Sequence, residues 1–72
     1  MPDSVYKVIE LIGSSPDSWE AATANAVAMA AKTLKDIRIA EVSEMDVVVD
    51  SGKITSYRTK LNLSFKVHEK VD

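Results

Sequence analysis

The segment 37-IRIAEVSEMDVVVDSGKITSYRTKLNLSFKV-67 decides how this chain folds. In residues 57–67 the alternation is strict: every second residue is apolar or threonine, and the residues between are polar or charged. A period of two over this length is typical of a strand with one buried face. The first half alternates in the same way except at Glu41 and Ser43, which indicate a bulge or a site near Glu41. Residues 50–52, Asp-Ser-Gly, favour a turn, so the segment predicts a long β-hairpin.

This hairpin is too long for the core that the chain can build. A strand of about fourteen residues spans on the order of 45 Å at roughly 3.4 Å per residue. A compact globule of 72 residues has a diameter of about 30 Å. A domain of this size also buries only about 60% of its unfolded surface, so its stability alone is marginal. The excess of strand therefore predicts an assembly in which neighbouring chains cover the hairpin.

The residues before the hairpin predict one strand and one helix. Residues 5–12 are rich in β-branched side chains and run into the turn formers of residues 13–16. The alanine-rich residues 19–34 favour a helix that can pack closely on a sheet. A helical crossover favours parallel placement of the first two strands, whereas the hairpin is antiparallel, so the third strand should lie between them. We expect a single α+β domain over residues 1–72, of β-α-β-β order, with a three-stranded sheet of order 1-3-2 covered on one face by the helix.

The start of the helix has two candidates. Either Asp17 caps it with Glu20 as its reciprocal partner, or Ser15 caps it with Pro16 in the first helical position. One apolar stripe of the helix is predicted to carry Trp19, Ala22, Ala26, Met29 and Ala30, and the sheet and a neighbouring chain could both use the apolar surface to which it belongs.

Composition excludes several classes of function. The chain has no cysteine and a single histidine, His68, which rules out disulfides, thiolate metal sites and multi-histidine sites within one chain. The net charge of −2 and the pI near 5.3 give no basic surface for nucleic acid. No apolar run reaches the roughly 18 to 20 residues of a membrane span, and the amino terminus does not resemble a signal peptide. We expect a soluble cytoplasmic protein that contacts neither nucleic acid nor membrane.

The register of the hairpin follows from its turn. If residues 51–53 form a three-residue loop, residues of equal parity face each other. The pairs that this register sets are Val47–Tyr57, Met45–Thr59, Ile39–Phe65, Asp46–Arg58 and Glu44–Lys60. Because the last two pairs join opposite charges, one interpretation is a solvated face whose ion pairs fix the register.

The alternative interpretation is a cation site. Glu44 and Asp46, with Glu41, would converge with their symmetry copies at an interface between chains. Calcium takes six to eight oxygen ligands, so one strand cannot fill its coordination shell, and the sequence has no EF-hand spacing. No catalytic motif is present, and both glycines, Gly13 and Gly52, are explained by turns. We therefore expect a protein that is not an enzyme.

The chain resembles the dodecins over residues 5 to 67. The resemblance rests on VYKVIELIGSSP at 5–16, the helix ending in KTL at 32–34, AEV at 40–42 and LSFKV at 63–67, in this order. It implies a sheet wrapped around the helix and twelve chains closed into a hollow, cubically symmetric shell. It also implies binding of a small ligand, since many dodecins hold flavins in pairs at subunit contacts.

The positions of the family's flavin pocket are substituted in this chain. Ile39 stands where relatives stack a tryptophan on the flavin, and Arg58 stands where a glutamine bonds its polar edge. Asp46 replaces an arginine that many flavin-binding members carry. DSWE at 17–20, IRIA at 37–40 and VDSGKI at 49–54 resemble instead the branch described as calcium dodecins.

The function expected from the sequence is a non-enzymatic hollow homododecamer that binds or buffers a small ligand or ion at subunit interfaces. Calcium is favoured as the ligand, and flavin is not expected in the usual mode. Two alternatives stay open: riboflavin or FMN storage in a remodelled pocket, and a purely structural or partner-binding shell.

Overall fold

The computed structural model describes residues 4–67. Strand β1 (Val5–Ser15) is followed by helix α1 (Trp19–Ala31), and strands β2 (Ile37–Asp50) and β3 (Lys53–Val67) form the hairpin. His68, the one histidine considered in the sequence, lies outside the described residues.

The three strands form one antiparallel sheet in the order β1-β3-β2. This confirms the predicted topology: β1 and β2 are both antiparallel to the central strand and therefore parallel to each other. Helix α1 covers one face of the sheet. We call that face the inner face and the opposite one the outer face.

Small side chains let the helix lie close to the sheet. The buried apolar residues of the described chain are Ala22, Ala26, Ala30, Leu61 and Leu63. The backbone at Gly13 approaches the helix so closely that an added Cβ would clash with the Ala22 carbonyl oxygen and lie 2.9 Å from the Ala26 Cβ. Met29, in the same predicted apolar stripe, is 64% exposed within one chain, whereas the three alanines of the stripe are buried.

The helix begins at a different residue from either predicted start. Ser18 is its N-cap, with an extended backbone and a side-chain oxygen that accepts a 3.0 Å hydrogen bond from the Ala21 N–H. Both predicted caps, Asp17 and Ser15, are therefore wrong. The Ser15 hydroxyl instead accepts a 3.0 Å hydrogen bond from the Asp17 N–H and stabilises the turn between β1 and α1.

The strands of the hairpin pair as predicted near the turn, but the loop and the bulge that produce this pairing were not predicted. Its loop has two residues, Ser51 and Gly52, both at positive φ, and Asp50 pairs directly with Lys53. A shift between Val48/Ser56 and Val49/Ile54 leaves Thr55 as an extra residue and restores the equal-parity register. The predicted three-residue loop is thus wrong. Four of its five predicted pairs are confirmed, including both ion pairs.

The fifth pair, Ile39 with Phe65, is wrong because β2 contains two further irregularities. Ile39 lies opposite Ser64, and Ile37 takes the place opposite Phe65, which leaves Arg38 as an extra residue. A second shift falls between Val42 and Glu44, so Ser43 is bulged, close to the bulge expected near Glu41. The Ser43 hydroxyl donates a 3.1 Å hydrogen bond to the Lys60 carbonyl oxygen across this bulge.

The hairpin extends beyond the rest of the chain, as its length predicted. The described residues measure 56 × 20 × 14 Å with a radius of gyration of 15.2 Å, compared with about 11 Å for a compact chain of this length. Along β2 every residue except Ile37 and Val47 is exposed. Within residues 4–67, no helix has the length and apolar character of a membrane span.

Candidate functional site

Side chains form rows across the outer face of the sheet, and three of the four rows described here carry charged residues. Paired residues on neighbouring strands share a face, so each row combines one residue from each strand. Reading β1, β3 and β2 in turn, the rows are Ser14–Arg58–Asp46, Ile12–Lys60–Glu44, Glu10–Asn62–Glu41 and Val8–Ser64–Ile39. All the site residues expected from the sequence therefore lie on this one face.

The bulges of β2 make this arrangement possible. Glu41 and Glu44 have opposite parity, so an unbroken strand would turn them to opposite faces. The extra residue Ser43 reverses the alternation for Glu41 and Ile39, and the extra residue Arg38 then returns Ile37 to the inner face opposite Phe65. The four positions Ile39, Glu41, Glu44 and Asp46 therefore share the outer face.

Asp46 and Arg58 form a bidentate ion pair. The Arg58 Nε donates to Asp46 Oδ1 at 2.7 Å, and Nη2 donates to Oδ2 at 2.8 Å. These hydrogen bonds hold the pKa of Asp46 below its ordinary value and raise the pKa of Arg58. Both carboxylate oxygens of Asp46 are thus engaged, which confirms the predicted pairing.

Lys60 lies between two carboxylates on different strands. Its Nζ is 3.6 Å from Glu10 Oε2 and 3.9 Å from Glu44 Oε1. Sequence reasoning found Glu44 but missed Glu10, because the turn fixes the register of the hairpin and says nothing about that of β1. The signal that could have found it is its position in β1, where the even residues alternate with the partly buried Ile9 and Leu11.

Trp19 fixes the main chain that carries Asp46. Its Nε1–H donates a 3.0 Å hydrogen bond to the Asp46 carbonyl oxygen. Its ring meets the Tyr57 ring edge to face, with centroids 5.1 Å apart and planes at 78°. The first turn of the helix therefore holds the edge strand in place at the ion pair.

Ile39 lies far from the ion pair within one chain. Three rows separate it from Asp46, which is on the order of 20 Å at roughly 3.4 Å per residue. Its side chain is open, with the residue 60% exposed. A pocket that used Ile39 together with Asp46 and Arg58 would have to take them from different chains.

A shallow depression surrounds the charged rows. It has a volume of about 240 Å³ and is lined by Ile12, Glu44, Asp46, Arg58, Thr59 and Lys60. Its two cationic side chains already face its two carboxylates. Within residues 4–67, no three side chains of the kinds that bind metals come together. One chain alone therefore offers a cation only part of a coordination shell.

Comparison with known proteins identifies relatives of this chain. The sequence model of the family described as Dodecin matches residues 5–68. The calcium dodecin of Mycobacterium tuberculosis is 60% identical over 65 residues, which cover 89% of this chain and 90% of that protein. The dodecin of Thermus thermophilus is 35% identical over 65 residues, covering 90% and 94%.

Solved structures share the fold. Dodecin from Streptomyces coelicolor matches with a TM-score of 0.91 at 31% identity, over 97% of this chain and 100% of that one. The calcium-chelating calcium dodecin of Mycobacterium tuberculosis, described as having a novel calcium-binding site, matches with a TM-score of 0.80 at 54% identity, over 96% and 99%. The family match over residues 5–68 and these relatives show that the chain belongs to the dodecin family.

Proposed function

We propose that this chain forms a non-enzymatic homododecamer that binds calcium at the interfaces between its subunits. The observation that carries the proposal is the set of exposed carboxylates that β2, an edge strand, presents on the outer face of the sheet. The similarity to a protein named calcium dodecin supports calcium as the cation. Such a shell would buffer or store the cation.

The ligands that we propose are Glu44 and Asp46, with Glu41 on the same face. The side chains of Glu44 and Asp46 are 70% and 53% exposed, so they are accessible to ions. Calcium requires six to eight oxygens, and a neighbouring chain would supply those that one strand lacks. Arg58 competes for Asp46, because its guanidinium occupies one acceptor site on each carboxylate oxygen and its positive charge opposes a nearby cation.

Calcium titration by calorimetry tests this proposal. We expect binding heat with the unsubstituted protein, and an affinity at least about tenfold weaker for Glu44→Gln and for Asp46→Asn, because each removes one charged ligand. Glu20→Gln is the matched control, since it neutralises an exposed carboxylate on the helix. Absence of binding heat with the unsubstituted protein would contradict the proposal. Binding heat that is unchanged in both variants would show that Glu44 and Asp46 are not ligands.

A further inference from the structure

Two cations of β3, Arg58 and Lys60, hold the carboxylates of β2 with different strength. Arg58 donates two hydrogen bonds to Asp46, at 2.7 and 2.8 Å, and this forked geometry is the strong form of an ion pair. The Lys60 Nζ lies 3.9 Å from Glu44 Oε1, which is beyond the range of about 2.7–3.2 Å for a hydrogen bond. The Glu44 side chain is also the more exposed, at 70% compared with 53% for Asp46. Calcium can therefore take Glu44 with the smaller loss of ion pairing.

Lys60 has a second carboxylate partner on the opposite side of its strand. Its Nζ lies 3.6 Å from Oε2 of Glu10 on β1. Because β3 lies between β1 and β2, Glu10 and Glu44 attract the ammonium in opposite directions. A lysine carries its charge on a flexible stem, so the ammonium can move between two such partners. The depression of about 240 Å³ is lined by Lys60 and Glu44 but not by Glu10, so movement towards Glu10 takes the positive charge away from Glu44.

We propose that Glu10 is a positioning residue that controls how readily calcium reaches Glu44, because it takes over the Lys60 ammonium when the ion binds. The inference rests on the calcium binding proposed above and names what regulates that site. Within residues 4–67, loss of the Glu10 charge leaves Lys60 with Glu44 as its ion-pair partner. Lys60 then competes with calcium for this carboxylate. Glu10 acts through Lys60 and does not contact the ion.

A double-mutant cycle separates this role from that of a ligand. Calcium titration by calorimetry would compare the unsubstituted protein with Glu10→Gln, Lys60→Gln and the variant that carries both substitutions. Glu10→Gln should weaken calcium binding about tenfold, whereas Lys60→Gln should tighten it, because the competing cation is gone. In the Lys60→Gln background, Glu10→Gln should weaken binding by about threefold at most, since it then removes only a nearby exposed charge.

Lys53→Gln is the matched control for Lys60→Gln. It removes the same charge from the same strand, at the end next to the hairpin loop, and should change the calcium affinity by about twofold at most. Lys60→Met, which keeps an apolar stem, replaces Lys60→Gln if native mass shows that the glutamine variant does not assemble.

The outcomes distinguish this inference from the proposed calcium binding. Equal losses on Glu10→Gln with and without Lys60 would make Glu10 a ligand or an ordinary nearby charge and would overturn the inference. Binding heat that depends on Glu44 but not on Glu10 would also overturn it and would leave the proposed function intact. Absence of calcium heat in every one of these proteins would overturn the proposed function, and the inference with it.

Discussion

At the scale of residues, the ion pair between Asp46 and Arg58 gives this sheet its particular chemistry. It engages both oxygens of the Asp46 carboxylate. Its pairing was predicted correctly because the equal-parity register places opposite charges together, and the bulge at Thr55 restores that register although the loop is shorter than predicted. The contribution of β1 to the charged rows was not predictable, since the register of β1 depends on long-range pairing with β3.

The ion pair makes the stability of the fold depend on pH. Hydrogen bonds from Arg58 hold the pKa of Asp46 below its ordinary value of 3.8. Because the pKa is lowered, the ion pair stabilises the folded chain fully at pH values above the ordinary pKa of 3.8. This contribution is lost as the pH falls through the lowered pKa of the folded state. Thermal melts should therefore show Asp46→Asn less stable than the unsubstituted protein at pH 7 and equally stable in strong acid. A difference that persists unchanged into acid would contradict this, and Glu20→Gln controls for loss of charge.

Ile39 and Arg58 lie at the positions that the dodecin resemblance assigns to a flavin pocket, and these two residues predict weak flavin binding. Ile39 cannot stack on a ring as an aromatic side chain does, and stacking contributes about 0.5–1.5 kcal/mol per contact. Ile39→Trp combined with Arg58→Gln should tighten riboflavin binding by up to about tenfold relative to the unsubstituted chain. Quenching of riboflavin fluorescence measures both affinities. Equal riboflavin affinities in the two proteins would show that residues 39 and 58 do not determine how tightly flavin binds.

Gly13 is the residue at which the sheet depends most on a small side chain. Gly13→Ala would drive its Cβ into the Ala22 carbonyl, a backbone atom that cannot move aside cheaply. We expect a loss of about 1–3 kcal/mol in the free energy of unfolding, measured with urea at fixed protein concentration. Gly52→Ala is the control: it has open space around it but a φ of +76°, so it should cost about 1 kcal/mol through backbone strain alone. A neutral Gly13→Ala would mean that helix and sheet lie further apart.

At the scale of elements, the residue that caps the helix could not be predicted from the local sequence. Ser15, Asp17 and Ser18 can all cap a helix, and local preference does not choose among them. In the structure the helix starts after Ser18 and packs closely against Gly13 of the sheet, a long-range contact that local preference does not include. The hairpin gives the opposite case. Its loop was predicted one residue too long, but the bulge at Thr55 compensates and the predicted register near the turn is correct.

The choice of cap is testable. Ser18→Ala removes the acceptor for the Ala21 N–H and should cost about 1 kcal/mol of stability, whereas Ser18→Asp keeps an acceptor and should cost little. Urea unfolding compares these two with Asp17→Ala. A larger loss for Asp17→Ala than for Ser18→Ala would show that the helix starts at the predicted cap.

At the scale of the whole molecule, the shape of one chain indicates an assembly. Among residues 4–67, two leucines and three alanines are the buried apolar side chains, whereas most of β2 is exposed. The overhang of the hairpin was predictable from strand length alone. The groove between α1 and the free edge of β1 was not, because it depends on how α1 sits relative to that edge.

Sedimentation velocity at micromolar concentration tests the central claim most directly, since the calcium site and the covered hairpin both require neighbouring chains. The account predicts one species of about twelve times the 7.9 kDa mass of the chain. A folded species of 7.9 kDa, with its sheet intact by circular dichroism, would contradict it.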